Sequence, residues 1–588
     1  MNFKLSILVC ILFVGIRFQG VCDTIPATNP YYHTHIRIPE VDDYDKLAKA
    51  KHDMVVTDNV AASKVAFNIL HQGGNAVDAA IAAAFILSVV EPQNSGLGGS
   101  GYALYYNKST EGILAFDGIV SIPQSYYTTH SSDKIMSDNS AAETVAIPGE
   151  FALLYQLHQK EGKLSWEKLL LPAIQLAENG FALNTRLYNA LVLEKAHLDK
   201  IPQMQQIFLT QNNEVKPVGT IIKNLEYANT LKLVAANPNS FYRGKIAKDI
   251  IDRVNKINDT KILNLSDFKD YMVLNKKPIC SFYREKYQIC SVAPLNSGGV
   301  TLEEFLLIYS QVYYPTSVND INWIYYFIQA SKLAYADRSN YTKNYLYDYG
   351  LDDEKIDYDY LESGYIDAQT KLISQKPLAL QLLDKKNSVK TKSSVSIQDI
   401  KGQQIGATAI AIVDENDNAI NLTLNLKNLF GSKIWVDGFF LNNVLKNFNF
   451  PAYKLDKENS LEEEEQLRPP STMTPNLVMD EFGNLKLITN SPGGTPLICY
   501  VAKNIILMLD FNLDPYAASK FGNLCSFNNK LLLEANSNVA QYGSLLKVKN
   551  ESVLSVDLSS SEVSIIRGNN GYWYGASDPR ETGLAIGD

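Results

Sequence analysis

The apolar positions of this chain follow two different patterns. Between residues 150 and 337 they recur at intervals of three and four, which is the spacing of amphipathic helices. After Gly406 they fall into short runs and alternations that are typical of strands. The predicted helices include 150–160, 166–179 and 322–337, and the predicted strands include 407–413, 419–426, 485–489 and 553–558. Helices in the first half and strands in the second predict an α+β fold.

The segment 54–101 predicts a buried unit near the start of the chain. We predict a strand over 54–60, a helix over 61–72 and a second helix over 76–90, capped by Asn75. The second helix is apolar on all sides, so we expect it to be buried. The glycine-rich stretch 96–101 follows a helix rather than a strand, so we interpret it as a tight turn and not as a dinucleotide-binding loop.

The N-terminus has the pattern of a signal peptide. A short positive segment is followed by an apolar run over 5–16 and by small residues at Gly20 and Val21. The run is shorter than the about 20 residues that a bilayer span needs. We predict a signal peptide over 1–22 that is removed, with an uncleaved signal anchor as the alternative, and a polar arm over 23–50. We therefore expect a secreted, extracellular protein with no membrane span.

Composition and cysteine spacing exclude several kinds of site. The 588-residue chain is 46% hydrophobic with a formal net charge of −9, so no nucleic-acid partner is expected. No spacing of cysteines or histidines indicates zinc, and we predict no metal and no cofactor. Cys280 and Cys290 flank a predicted turn at 284–286, and a disulfide between them fits an oxidising compartment; two buried thiols are the alternative. Whether Cys499 and Cys525 pair is left open.

Six Asn-x-Ser/Thr sequons occur in the chain. In a secreted protein some are expected to carry glycans. Asn421 lies in an apolar alternating segment, so we expect it to be buried and unmodified. The predicted glycosylation sites are Asn107, Asn258, Asn264, Asn340 and Asn550.

Nine segments in order, from about residue 50 to the C-terminus, resemble one family of secreted enzymes. They include Gly-Gly-Asn-Ala-Val-Asp-Ala-Ala at 73–80 and Ser-Pro-Gly-Gly-Thr at 491–495. The others lie at 90–99, 145–150, 171–174, 241–244, 297–300, 333–338 and 441–443. Together they are similar to the gamma-glutamyltransferase, or glutathione hydrolase, family.

The resemblance implies an N-terminal-nucleophile hydrolase fold, a four-layer αββα sandwich. It divides the chain into a large-subunit-like region, 51–405, and a small-subunit-like region, 406–588, which together form one domain. Family members cut themselves before a Thr, whose hydroxyl then attacks the gamma-glutamyl amide of glutathione while its own amine acts as base. The oxyanion is held by the amides of a glycine pair, which Gly493 and Gly494 match.

The resemblance places Ala407, not a Thr, at the nucleophile position. Counting forward from Gly406 and backward from Asp414 gives the same answer. Ala407 has no hydroxyl with which to attack an amide. Thr408 is the next residue, but successive side chains of a strand point to opposite faces. Thr408 could act as nucleophile only if a bulge or slip turned it toward the pocket.

The implied substrate pocket has also changed. Ile119 stands where the family has the Arg that binds the glutamyl carboxylate, and Ile cannot replace that contact. Other positions that would bind substrate are altered as well. Lys427 and Lys446 add positive charge where the substrate's ammonium group would bind. The altered positions are Asn425, Lys427, Val444 and Asn447, and the retained ones are Ser471 and Thr472.

These losses favour an inactive, secreted member of the family over an active enzyme. Such a protein would resemble the inactive family copies found among venom components. An inactive scaffold would bind a protein partner that the sequence does not identify. The alternative is an active gamma-glutamyl hydrolase or transferase that acts on glutathione, or on another gamma-glutamyl compound, through Thr408. A hydrolase of altered acyl specificity would still lack a nucleophile.

Overall fold

Stretches from both halves of the chain pair into two seven-stranded sheets. The computed structural model describes residues 46–126, 141–257, 261–292, 296–348, 359–373, 405–446, 468–528, 530–544, 552–556, 558 and 560–588. The predicted signal peptide, 1–22, and the predicted arm as far as residue 45 lie outside this part. The described residues all belong to one unit that spans Asp42–Asp588.

The strands of the described part are short, and each has between two and ten residues. In chain order they are β1 (Leu47–Ala50), β2 (Met54–Thr57), β3 (Ser100–Asn107), β4 (Gly112–Gly118), β5 (Phe181–Ala182), β6 (Ile221–Ile222), β7 (Leu274–Lys276), β8 (Ile279–Tyr283), β9 (Tyr287–Ser291), β10 (Ile405–Val413), β11 (Ala419–Asn428), β12 (Trp435–Val436), β13 (Phe439–Phe440), β14 (Asn476–Met479), β15 (Leu485–Asn490), β16 (Leu524–Phe527), β17 (Lys530–Glu534), β18 (Ser552–Val556), β19 (Val563–Arg567), β20 (Trp573–Ser577) and β21 (Leu584–Gly587).

The helices lie mainly between β4 and β10. In chain order they are α1 (Val60–His71), α2 (Ala76–Val90), α3 (Glu150–Glu161), α4 (Trp166–Asn179), α5 (Thr185–Leu198), α6 (Pro202–Phe208), α7 (Leu225–Ala236), α8 (Lys245–Asn255), α9 (Leu265–Lys269), α10 (Ser297–Val312), α11 (Ile321–Asp348), α12 (Ser363–Thr370), α13 (Leu497–Leu509) and α14 (Pro515–Lys520).

Both large sheets are antiparallel and mix strands from distant parts of the chain. Sheet I has the order β1-β20-β19-β15-β14-β9-β8, and sheet II has the order β21-β2-β10-β11-β3-β4-β7. The predicted strand over 54–60 is confirmed as β2, but the predicted separation of helices from later strands is incomplete, because β3, β4 and β7 also come from the first half and belong to the same sheet as β10 and β11. The end of the predicted arm, Leu47–Ala50, is also a strand and pairs with β20.

The two sheets pack face to face, with helices on their outer sides. Helices α1, α2 and α3 contact sheet II, whereas α10, α13 and α14 contact sheet I. A polar contact joins the sheets at their centre, where the Asn421 side chain of β11 donates to the carbonyls of Asn476 on β14 and Thr489 on β15, at 2.8 and 3.0 Å. This arrangement confirms the predicted α+β fold with four layers. Asn421 is buried, as its apolar surroundings predicted.

Helix α2 has the predicted bounds, Ala76–Val90, and every residue in it is buried. Its start is fixed by a reciprocal cap, in which Asn75 accepts from the amide of Asp78 and the Asp78 carboxylate accepts from the amide of Asn75. Strand β2, which precedes α1, ends at Thr57 instead of the predicted residue 60, because Asn59 already caps α1 by accepting from the amide of Ala61 at 2.9 Å. Helix α2 thus forms the buried support under strands β10 and β11.

Two disulfides are present in the described part. Cys280 and Cys290 are directly opposite each other on β8 and β9, on either side of a turn at Arg284 and Glu285. Cys499 on α13 is bonded to Cys525 on β16, a pairing that the sequence left open. Each disulfide joins two cysteines on the same side of residue 406, so neither connects the two predicted subunit-like regions.

Within the described residues, no helix is both long enough and apolar enough to cross a bilayer. The same part of the chain contains no group of His, Cys, Asp and Glu side chains arranged to hold a metal ion.

Candidate functional site

Ala407 lies on the face of β10 that points toward the other sheet. In the register of β10 and β11, Ala407 pairs with Asn425 and Ala409 pairs with Thr423. The Thr423 hydroxyl donates to the side chain of Asn490, at the end of β15, at 3.1 Å. The Thr423 side chain therefore points into the space between the sheets. Since paired residues of antiparallel strands share a face, Ala407 and Ala409 lie on this side as well.

Thr408 points to the opposite side, into the helical layer. Its hydroxyl donates to the Asp58 carboxylate at 2.8 Å, and the amide of Ala409 donates to the same oxygen at 3.1 Å. Thr408 is completely buried. Its hydroxyl is therefore bound by Asp58, which lies just before α1, and does not face the space between the sheets that Ala407 faces.

Asp58 belongs to a buried ionic cluster that the sequence patterns did not reveal. Arg186 of α5 lies 2.9 Å from Glu91, 3.2 Å from Glu581 and 3.8 Å from Asp58. Burial raises the pKa of Asp58 and of Glu581 to about 7 in each case, while Arg186 opposes that rise. The only signal in the sequence was the presence of carboxylates beside apolar runs, and their partner Arg186 lies far away along the chain.

A bulge interrupts the pairing of β10 and β11 beside the nucleophile position. Gly406 pairs with Lys427 and Ala407 pairs with Asn425, so Leu426 is the extra residue. The bulge lies on β11 and leaves the alternation of β10 from Ala407 to Val413 unchanged. It therefore does not turn Thr408 toward the inter-sheet side.

The side chains of Asn425 and Lys427 are already engaged by neighbouring groups. The hydroxyl of Ser100 donates to Asn425 at 3.0 Å. The ammonium group of Lys427 donates to the carbonyls of Val444 and Lys446 at 2.8 and 2.6 Å. Burial, together with the nearby charge of Lys446, lowers the pKa of Lys427 to about 8. Asn447, predicted from the sequence for the same part of the pocket, lies outside the described residues.

Ile119 is buried where the resemblance places an Arg, with only 2% of its surface exposed. Its amide donates to the Asp117 carboxylate at 3.0 Å, and its carbonyl accepts from the Tyr271 hydroxyl at 2.7 Å. A different guanidinium, that of Arg468, is buried close by and lies 3.0 Å from Asp117. Arg468 also donates to the Met272 carbonyl and stacks over the Tyr271 ring, so its guanidinium is held by the protein's own groups.

Gly493 and Gly494 lie in the turn between β15 and α13. Both have positive φ, +154° and +66°, and both are half-buried. Within the described residues, neither amide donates a hydrogen bond to another group. The turn begins three residues after Asn490, which contacts Thr423 opposite Ala409, so the glycine pair and the start of β10 lie at the same end of the two sheets.

Ser471 and Thr472 are half-buried and follow directly on the Arg468 region. The carbonyl of Ser471 accepts from the amides of Ser297 and Gly298, at 3.0 and 3.2 Å, at the start of α10. The Ser471 hydroxyl accepts from the amide of Met473 at 3.2 Å. Ser471 therefore has a structural role at the N-terminus of α10, whatever else it binds.

Two of the predicted glycosylation sites have described side chains. Asn264 is exposed at the start of α9, and Asn107 is half-buried at the end of β3, where it accepts from the amide of Ser109 at 3.0 Å. Asn340 lies in α11, with its side chain outside the described part, and Asn258 and Asn550 lie outside it entirely. Glycosylation at the five sequons remains a prediction.

Comparison with known proteins gives consistent results. A family model described as gamma-glutamyltranspeptidase matches residues 62–588. The glutathione hydrolase proenzyme of Escherichia coli (strain K12) is 28% identical over 594 residues, a match that covers 96% of this chain and 97% of that protein. Scoloptoxin SSD14 of Scolopendra dehaani is 25% identical over 468 residues, covering 76% of this chain and 77% of that protein.

Among solved structures, cephalosporin acylase from Bacillus halodurans has a TM-score of 0.75 at 21% identity, and the match covers 96% of this chain and 99% of that chain. This likeness in backbone confirms the predicted N-terminal-nucleophile hydrolase fold. The matching family model spans nearly all of the described residues, including β10, β11 and the glycine turn. The chain therefore belongs to the gamma-glutamyltranspeptidase family.

Proposed function

We propose that this protein is a secreted, gamma-glutamyltransferase-like scaffold without catalytic activity. One observation carries the proposal. The inter-sheet position at the start of β10 holds the methyl group of Ala407, while the hydroxyl of the next residue, Thr408, is completely buried and bonded to Asp58. Acyl transfer of this kind needs a nucleophile within reach of the substrate and of the groups that hold the oxyanion.

The residues at the implied substrate positions support the same proposal independently of the nucleophile. Ile119 is apolar and buried at the position where the resemblance implies an Arg that binds a carboxylate, and Arg468 is engaged by Asp117 and by carbonyl groups. An Arg–carboxylate pair is one of the stronger polar contacts in proteins, and no apolar side chain reproduces it. Replacing Ala407 alone would therefore leave the ligand's carboxylate without its partner.

The surviving features support retention of the fold as a scaffold. Gly493 and Gly494 keep their turn, and Ser471 keeps its contacts with the start of α10. One relative of this chain bears the name Scoloptoxin, and the N-terminal sequence pattern predicts secretion. These observations favour a secreted role in binding, with an unidentified protein partner, over turnover of glutathione.

Turnover of a chromogenic gamma-glutamyl anilide by the purified secreted protein tests the proposal. We expect no release of the chromophore above the uncatalysed rate, with the Escherichia coli glutathione hydrolase as positive control. Loss of a nucleophile typically costs several orders of magnitude in rate, so the contrast is large. Measurable turnover by the wild-type protein contradicts inactivity.

A second candidate function is gamma-glutamyl hydrolysis through Thr408. The observation in its favour is the Asp58 carboxylate at 2.8 Å, which could accept the hydroxyl proton. Burial raises the pKa of Asp58 to about 7, close to the range useful for a base. This candidate requires turnover that disappears in Thr408→Ala and persists in the exposed Thr110→Val.

A further inference from the structure

The Cys280–Cys290 disulfide joins an edge strand to its neighbour. The two cysteines are directly opposite each other on β8 and β9. Strand β8 is the outermost strand of sheet I, and within the described residues no further strand pairs with its other side. On the inner side β9 pairs with β14, where Leu477 lies opposite Cys290. The bond therefore has one open end, at Cys280, and one closed end, at Cys290.

The exposure of the two cysteines differs in the same sense. Cys280 is exposed, whereas only 1% of the surface of Cys290 is exposed. Alternation along β8 places Phe282 on the same face as Cys280, and Phe282 is 59% exposed. Ser281 points to the opposite face, since its hydroxyl donates to the buried Glu303 of α10. Solvent therefore reaches the face of β8 that carries Cys280.

The second disulfide has no such access. Cys499 and Cys525 are both completely buried. All residues of the elements that carry them, α13 and β16, are buried as well. A thiol can attack this bond only after the surrounding structure opens. The Cys499–Cys525 bond is therefore an internal reference for the reactivity of the Cys280–Cys290 bond.

The hairpin of β8 and β9 is held in place by contacts other than its disulfide. At its tip, Arg284 donates to the Asp510 carboxylate at 2.7 Å, and the Tyr283 hydroxyl donates to the same carboxylate at 2.7 Å. Arg284 also donates to the carbonyls of Ser310 and Tyr313, at 2.7 and 2.6 Å. None of these bonds involves a cysteine, so we expect the two thiols of a reduced hairpin to remain opposite each other.

We propose that the Cys280–Cys290 bond is a site of thiol–disulfide exchange, and that external thiols attack it at the sulfur of Cys280. An attacking thiolate approaches in line with the sulfur–sulfur bond, from the side opposite the leaving sulfur. For Cys280 that side is the open edge of β8, whereas for Cys290 it is occupied by β14. The proposal involves none of the groups around Ala407, so it goes beyond the proposed function and does not depend on it.

The exchange balances without any group other than the external thiol. The thiolate forms a bond with Sγ of Cys280, the bond to Cys290 breaks, and Cys290 leaves as a thiolate that takes a proton from water. The product is a mixed disulfide on Cys280 beside the thiol of Cys290, and attack by Cys290 reverses the step. A second external thiol that attacks the mixed disulfide releases Cys280. Two external thiols are then oxidised to a disulfide, and the protein disulfide is reduced by two electrons.

Timed reduction of the native wild-type protein tests the site against its internal reference. The protein is treated with 2-mercaptoethanol, samples are alkylated with iodoacetamide, and each cysteine is quantified by peptide mass spectrometry. We expect Cys280 and Cys290 to be alkylated at least about tenfold faster than Cys499 and Cys525, because the buried bond must wait for local opening. Equal rates, or faster reaction of the buried pair, overturn the proposal.

Single-cysteine variants test which sulfur is attacked. Cys290→Ser leaves a thiol at the open end of the pair, and Cys280→Ser leaves one at the closed end. With an aromatic disulfide reagent, we expect Cys290→Ser to form a mixed disulfide at least about tenfold faster than Cys280→Ser. Equal rates contradict attack at Cys280. If either variant does not fold, the wild-type mixed disulfide is mapped by mass spectrometry, where an adduct on Cys280 supports the proposal and one on Cys290 contradicts it.

A second arm of the timed reduction distinguishes the source of the thiol. It replaces 2-mercaptoethanol with an unstructured peptide that contains one cysteine. Preferential reduction of the Cys280–Cys290 bond in either arm supports the site and identifies the kind of thiol that reaches it, and preferential reduction in neither arm overturns it. Turnover of the anilide would contradict inactivity without changing these rates, and slow reduction at Cys280 would leave inactivity in place.

Discussion

At the scale of single residues, two adjacent side chains point to opposite sides of strand β10. Ala407 faces the space between the sheets and Thr408 faces the helical layer, because side chains alternate along a strand. The alternation was predictable from the sequence, and so was the missing hydroxyl at 407. The identity of the partner of Thr408 was not, because Asp58 lies 350 residues earlier in the chain.

The bond between Thr408 and Asp58 predicts a stabilising role for the hydroxyl. Thr408→Val keeps the shape of the side chain but leaves a buried carboxylate with one donor fewer. We expect the free energy of unfolding to fall by about 1–3 kcal/mol, measured by chemical denaturation. The exposed Thr110→Val serves as control and should change it by no more than about 0.5 kcal/mol. An unchanged stability in Thr408→Val would show that the bond contributes nothing.

The raised pKa of Asp58 predicts a dependence of stability on pH. Because the folded state holds the proton more tightly than the unfolded state, its contribution is present in acid and is lost as the pH rises through about 7. Glu581 acts in the same direction. We expect Asp58→Asn to lose less stability than wild type between pH 5 and pH 8, as followed by chemical denaturation. Parallel pH profiles would contradict the assignment.

At the scale of elements, strand β10 and helix α2 were predicted closely, because a strong local pattern coincides with burial on both sides. Strands β3 and β4 were missed. Their apolar and aromatic residues follow a glycine-rich stretch that we interpreted only as a turn. The bulge at Leu426 was also missed, because register between strands depends on neighbours that no local pattern reveals. The sequence therefore singled out Lys427 for its charge and its place among the substrate-binding positions, but not for the bulge beside it.

The hairpin of β8 and β9 forms the edge of sheet I and is closed by the Cys280–Cys290 disulfide. Replacing both cysteines, as Cys280→Ser and Cys290→Ser, removes the bond and increases the conformational entropy of the unfolded chain. For a loop of this length we expect the free energy of unfolding to fall by about 2–3 kcal/mol. Denaturation of wild type and of the double variant, both without reductant, measures the difference. A difference below about 0.5 kcal/mol would mean that the hairpin gains nothing from the bond.

At the scale of the whole molecule, the family resemblance predicted the four layers, but the hydrophobic pattern alone placed all predicted strands except 54–60 in the second half. The pattern could not show that β2 pairs with β10, or that β21 closes the same sheet at the end of the chain. Such pairings are set by long-range packing. The nucleophile position and the glycine turn lie at the same end of the molecule only because the two sheets pack against each other, as the bond between Thr423 and Asn490 shows.

Whether the chain is cut in two is the most direct test of the central claim, that position 407 cannot supply the nucleophile. A family member matures by cutting itself before that residue, and neither disulfide would hold the two products together. The measurement is a denaturing gel of the purified secreted protein, with N-terminal sequencing of every band. We predict one undivided chain whose only N-terminus lies ahead of residue 50. Two fragments, the smaller beginning between Gly406 and Thr408, would contradict the account.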